Sequence, residues 1–345
     1  MKLTGRLGLR TAQAWFPENF VTGEQAVALG LLSPDELAKL GTRQLPASES
    51  AAPELALRAA RAALAAGGLT GSELDLVVHA WIYHQGHDFW SPAHYLAHQL
   101  GATTALPFGI QQMCNGGPVA LQTAAAHLLA DPQLRTALVT TADRFADPGF
   151  DRWRSDYGVS YGDAGTALLL HREPDQHDAL HLLSLTTVAD PTLETVHRGE
   201  DEFSPAPRWH SPGIDVRRTK KAFLAAEGPE RLFASTRASV AAALDQALTD
   251  AELTPDDPRL TRVLLPRLGR QALEAAYRPA LAALTGATVH DLGPDTGHLG
   301  AGDTAANLAA LVGDRLLAPG EIAVSISGGG GFSWSAVIVQ APQPN

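Results

Sequence analysis

The chain has 345 residues, 45% of them hydrophobic and 18% charged, the balance of a soluble globular enzyme. At this length one core usually divides, so two packed halves are expected. A formal net charge of −11 argues against a nucleic-acid polyanion as the main partner. The one cysteine, Cys114, rules out an intrachain disulfide and fits a reducing, cytoplasmic setting. The opening MKLTGRLGLRTAQAWFP lacks the apolar core and cleavage site of a signal peptide. No apolar run reaches the roughly 18 residues that span a bilayer, so no membrane partner is expected.

In chain order, apolar periodicity predicts a helix over 53–66, a strand over 74–81 and a helix over 92–101. A strand over 108–112, a helix over 118–130 and strands over 136–140 and 165–170 follow. The second half reads as a helix over 232–248, a strand over 262–265, a helix over 304–317, and paired strands over 322–327 and 333–339. Such alternation points to a layered α/β fold with a largely buried sheet. The polar stretch 171–177 (HREPDQH) divides the chain into halves 1–175 and 176–345. Residues 190–221, rich in Pro, Arg, His and acids, read as a long functional loop or irregular insertion.

The strongest local signal is 108–127, FGIQQMCNGGPVALQTAAAH. A short strand runs into Cys114, a Gly-Gly-Pro turn follows, and a small-residue helix begins. That places the thiol near a helix N-terminus, where exposed N–H groups favour the thiolate, the useful nucleophile toward thioesters. Taken alone, a free cysteine is more often a small buried hydrophobe.

Further segments occur in a telling order: AWFPENFVT at 14–22, the strand and helix of 74–101 with Ser91-Pro92-Ala93, YGDAGTA at 161–167, and GGGGFSW at 328–334. Together with the cysteine segment, this set resembles the ketosynthase III family over nearly the whole chain. The resemblance implies a thiolase fold of two related α/β halves in five αβαβα layers, usually a homodimer. It also implies an oxyanion hole formed by the N–H groups of Cys114 and Gly330. Aimed donors of this kind are worth about 3 to 4 kcal/mol each. Four consecutive glycines are more than a hairpin turn requires, and they let backbone approach a ligand closely.

The chain departs from the pattern of the decarboxylative family members, which carry a His after a Pro and an Asn in a Gly-Asn-Thr motif. Here those positions read Leu265-Pro266-Arg267 and Asp295-Thr-Gly-His298-Leu-Gly-Ala-Gly-Asp303. Arg267 is permanently charged and unsuited to acid–base work. Cys114, His298 and Asp303 instead supply a nucleophile, a base and an orienting carboxylate. This set resembles the acyltransferase branch of ketosynthase III-like proteins in natural-product pathways. The resemblance implies acyl transfer from the phosphopantetheine thioester of an acyl carrier protein, or from coenzyme A, to a hydroxyl or amine acceptor. No bound cofactor or metal is expected. A carbon–carbon-forming synthase III and a silent ketosynthase partner subunit are the alternatives.

Other residues have two readings each. Asp303 can cap the helix that follows it. His84 and His87 are rival bases or a weak metal pair, in a loop read as pocket wall, with His84 contacting substrate. Arg217, Arg218, Lys220 and Lys221 either steer an acidic carrier protein to the site or form a solvated helix end. Leu37 stands where coenzyme A users of the family often place a Trp, which tilts the donor toward a carrier protein.

Overall fold

Strands of mostly apolar or alternating residues pair as their burial demands. They are β1 (Leu7–Trp15), β2 (Phe20–Thr22), β3 (Gln44–Pro46), β4 (Leu76–Ala80), β5 (Leu106–Ile110) and β6 (Thr136–Asp143). Then come β7 (Ala164–Arg172), β8 (Leu180–Ala189), β9 (Leu260–Leu264), β10 (Thr288–His290), β11 (Ile322–Gly329) and β12 (Ser333–Gln340). The structure is a computed structural model and describes residues 1–343. Strands β2 and β3 form a small ribbon, and the other ten are ordered β10-β9-β11-β12-β8-β1-β7-β6-β4-β5.

That order is one pattern used twice. In both β1, β4–β7 and β8–β12, the third and second strands pair in parallel, as do the second and fourth. The fifth then runs antiparallel to both the fourth and the first. Strands β1 and β8 pair only briefly, Gly8 and Leu9 opposite His181 and Leu180, with an isolated bridge from Lys2 to Ser184 beside them. Each is therefore a sheet in its own right.

The helices Gly116–Ala130 and Asp303–Gly313 lie between the sheets, and their apolar residues share one core with β1, β4, β6, β11 and β12. Helix Gly116–Ala130 is apolar nearly all round, as a helix covered on every side must be. Helix Ala52–Gly67 covers the outer face of the first sheet and Pro229–Asp250 that of the second. The five layers are those of the thiolase fold. The central helices start at the same end of the molecule, where Gly117 meets Ala301.

Two long strands, β1 and β8, were absent from the periodicity reading. Leucine-rich LHLLSLTTVA of β8 fits a buried strand or a helix equally well, and only pairing with β12 and β1 decides it. The 190–221 segment is less irregular than expected. It contains short turns of helix at Pro191–Leu193 and Thr195–Arg198, and helix Val216–Glu227 begins within it. Among the described residues no helix is long and apolar enough to cross a membrane.

Candidate active site

Strand β5 leads into a bend at Met113, whose φ of 48° lies in the left-handed region. A single 3₁₀ turn, Met113–Asn115, then feeds helix Gly116–Ala130. Cys114 thus sits just ahead of a helix N-terminus and is 7% exposed. Asn115 fixes the bend, because its buried amide donates to the hydroxyls of Ser333 (3.2 Å) and Ser335 (2.9 Å) on β12. The glycine turn between β11 and β12 closes over Cys114. A Cβ on Gly329 would lie 3.2 Å from Cys114 Sγ, and one on Gly330 would lie 2.3 Å from His197 Cε1. Only bare backbone leaves that corner open.

His298 arrives from the opposite half. Its N–H donates to the Ser160 carbonyl (2.8 Å), and its carbonyl accepts from Gly162 N–H (3.0 Å). The YGDAGTA segment therefore splints the histidine loop. Next, Gly300 turns the chain at φ 64°, with Asp143 so close that a Cβ would stand 2.1 Å from Oδ2. Buried Asp143 accepts from the N–H groups of Ile82 (2.9 Å), Tyr83 (2.8 Å) and Ala301 (3.1 Å), joining three loops at the site floor. Burial pushes its carboxyl up to about 7 against these donors and the His298 charge. Gly300→Ala is expected to lower the melting temperature by several degrees. The left-handed backbone costs about 1–2 kcal/mol by itself, before the clash with Asp143. An unchanged melting temperature in a thermal scan would show the loop to be free to move.

His298 Nδ1 is 2.8 Å from Asp303 Oδ2, so the carboxylate fixes the hydrogen on Nδ1. Nε2 is buried without a protein hydrogen-bond partner. Burial pulls the His298 pKa down, but the charges of Asp303 and Cys114 and the hydrogen bond to Asp303 prevail, holding it well above the ordinary value. Burial pushes Asp303 the other way, yet the His298 charge and hydrogen bond, with the Leu299 N–H, keep its carboxyl below the usual range. Asp303 is no helix cap. It is the first residue of Asp303–Gly313, Gly302 occupies the cap position, and no side chain caps the end. Its carboxylate points back to Leu299 N–H (2.9 Å) and Arg267 N–H (2.8 Å) as well as to His298.

Cys114, His298, Gly329 and Gly330 line one cavity of about 360 Å³, walled mainly by apolar and aromatic side chains including Phe150, Phe332 and Trp334. Arg267 does not reach it. Its buried guanidinium donates to Asn307 Oδ1 (3.1 Å), the Leu292 carbonyl (3.1 Å) and Thr296 Oγ1 (2.8 Å). His84 and His87 are exposed on the loop before Ser91, outside the lining. His84 Nδ1 faces Asp88 at 3.5 Å, and Tyr83, not His84, is the pocket wall.

Much of the basic cluster is spoken for. Arg217 reaches Glu36 (3.3 Å) and the carbonyls of Asp156 and Trp153, Arg218 pairs with Asp201, and Lys220 holds Asp156. Among the described residues Lys221 alone of the four makes no ion pair. The cluster pins helix Val216–Glu227 over the cavity, and only Lys220 lines it. Asn115, Asp143 and His197 escaped the sequence reading. Asp143 left one signal, an acid ending an apolar strand, where α/β folds gather their sites.

Comparison with known proteins places this geometry. The model of the family "3-Oxoacyl-[acyl-carrier-protein (ACP)] synthase III" matches residues 108–191, which include Cys114 and the splinting segment. Beta-ketoacyl-[acyl-carrier-protein] synthase III of Rhodospirillum centenum is 26% identical over 95% of this chain and 96% of its own. The solved structure of ChlB3, titled "Aceyltransferase", is 30% identical, covers 98% of both chains and superposes with a TM-score of 0.87. The chain belongs to the ketosynthase III-like family. A synthase III from Aquifex aeolicus VF5, 19% identical over 97% of this chain and 99% of its own with a TM-score of 0.78, shares the fold. Within this ketosynthase III-like protein Cys114 arises from the first half and the His298–Asp303 pair from the second. The two central helices bring their starts together: a Cβ on Gly117 would lie 2.4 Å from the Ala301 carbonyl.

Proposed function

We propose that this ketosynthase III-like protein is an acyltransferase that works through a Cys114 acyl-enzyme. The observation that carries the reading is His298 Nε2, buried and unpartnered in the cavity of Cys114 while Asp303 holds the other ring nitrogen. The Cys114 thiolate attacks the carbonyl of a phosphopantetheine thioester, and a new C–S bond forms. The oxyanion is held by the N–H groups of Cys114 and Gly330. Collapse breaks the bond to the pantetheine sulfur, which leaves as a thiol with the proton from the His298 imidazolium.

Acylation removes the thiolate charge, one of the causes that hold the imidazolium in its protonated form. The neutral ring is then a base for the second half. Nε2 takes the proton of an acceptor hydroxyl or amine as its oxygen or nitrogen attacks the acyl carbon. Collapse returns Cys114 as leaving thiolate beside the recharged His298. Asp303 stabilises the imidazolium in both halves. The donor is an acyl carrier protein or coenzyme A thioester, and the working unit is a homodimer. The resemblance to ChlB3 over the full chain favours this branch over the synthases.

The test is intact-protein mass after incubation with carrier-bound acyl thioesters, followed by a screen of hydroxyl and amine acceptors. An increment on Cys114 that an acceptor then removes is the expected result. Decarboxylation distinguishes the rival reading. Arg267 turns its guanidinium away from the cavity and His298 stands in the Asn position, so no paired donors face a malonyl carbonyl. Malonyl-carrier is expected to release carbon dioxide at the uncatalysed rate. Release at catalytic rates, or a condensed β-keto product, would overturn the acyltransferase assignment.

A further inference from the structure

One wall of the cavity is chemically unlike the rest. Lys220, 13% exposed at its side chain, reaches across to Asp156, 6% exposed, at 2.5 Å. It also donates to the Tyr157 carbonyl (3.2 Å). The other Asp156 oxygen, Oδ2, accepts from Tyr161 OH at 3.3 Å. Burial, followed by the charges of Asp156 and Cys114, holds the Tyr161 hydroxyl well above its ordinary pKa, so it remains a donor. All three residues line the same cavity as Cys114. Long-range structure assembles them: the helix Val216–Glu227 supplies Lys220, and the strand-side loop before β7 supplies Asp156 and Tyr161.

This group lies close to the reacting atoms. The Tyr161 ring meets that of His298 edge-on at 5.5 Å. His197, which covers Gly330, feels the charges of both Asp156 and Lys220. An ammonium has three donors, of which Asp156 and the Tyr157 carbonyl take two. Asp156 neutralises Lys220, so the wall carries no net charge and favours no carboxylate over a neutral oxygen. An apolar pocket with one small polar spot reads the position of a polar atom on its ligand.

We infer that Lys220, Asp156 and Tyr161 form a specificity site for a neutral oxygen substituent, a hydroxyl or carbonyl, on the acyl group transferred by Cys114. The inference rests on the acyltransferase reading for the word acyl, and the wall belongs to the specificity of that reaction, not to its bond making. The substituent accepts from Lys220 Nζ, and a hydroxyl can in turn donate to Asp156. Acyl groups bearing only hydrocarbon leave the third ammonium donor unmatched and are held less tightly. A site built to hydrogen-bond a substituent rejects the analogue that lacks it more strongly than a greasy pocket rejects an extra methylene.

The experiment measures binding rather than turnover, so it stands even if no transfer is found. Cys114→Ala protein is titrated calorimetrically with hexanoyl-pantetheine and its 2-, 3- and 5-hydroxy and 3-oxo analogues. At least one oxygenated probe is expected to bind about 10- to 100-fold tighter than hexanoyl-pantetheine, the worth of a hydrogen bond to a charged donor. Adding Lys220→Met should erase that preference, bringing the oxygenated probes and hexanoyl-pantetheine to equal affinity. Because Lys220→Met strands the Asp156 charge, Lys220→Met with Asp156→Asn is the companion variant, checked by melting temperature. Equal affinity for all probes in the parent overturns the inference, as does a preference that survives in the folded double variant. Failure of the acyltransferase reading looks different: wild-type Cys114 gains no mass from any thioester, whatever the binding preference.

Discussion

Cys114→Ala is expected to take up no acyl group from any thioester and to reduce transfer by at least about 10⁴-fold, the order lost when a covalent nucleophile is removed. The fold should persist, because trimming one small buried sulfur next to glycine backbone opens little space. Intact mass reads the first effect, a melting curve the second. A further consequence follows from the charge balance at His298. Its pKa is raised first by Asp303 and then by Cys114, against burial. Removing the thiol therefore shifts the His298 titration to lower pH, observable by NMR of the imidazole. That shift mimics acylation and marks the moment the ring turns from acid to base. Transfer at the wild-type rate in Cys114→Ala would rule out the covalent route.

His298→Ala should slow the second half-reaction by roughly 10²- to 10⁴-fold, the usual worth of a placed general base. The first half is expected to suffer less, since the helix N-terminus at Gly116 still supports the thiolate. Acyl-enzyme then accumulates and appears in the mass spectrum. Rapid turnover without accumulation would move the base elsewhere in the cavity, with His197 the other imidazole lining it. Asp303→Asn is a harsher change than a helix-cap reading suggests. The carboxylate accepts from Leu299 N–H, Arg267 N–H and His298 Nδ1, and an amide has one acceptor oxygen to offer. A buried donor left facing the new NH₂ costs about 1–3 kcal/mol. Activity and melting temperature are both expected to fall.

The outline of the fold was legible because its elements are strongly patterned. The apolar runs of β4, β6, β11 and β12 and the small-residue helix Gly116–Ala130 come out where periodicity puts them. What periodicity could not decide were β1 and β8, whose partners lie far away along the chain. A leucine-rich run becomes a strand only when two neighbours offer it hydrogen bonds.

The sequence by itself determined the chemistry on offer: one thiol at a strand-to-helix bend, a histidine and an acid five residues apart, and glycines to stand beside them. Spacing along the chain is enough for such signals, because each is a local property of backbone and side chain. Only the tertiary structure decided what each charge is for. Asp303 lies at the first turn of a helix in any reading, but the loops bearing His298 and Arg267 turn its carboxylate away from capping. Four basic residues in a row of five look like a free patch until Glu36, Asp156 and Asp201 arrive from distant segments to neutralise three of them. Charge is read from sequence one residue at a time, whereas its partner is chosen by packing. That is why the cysteine at its strand-to-helix bend was visible in the chain and the polar wall beside it was not.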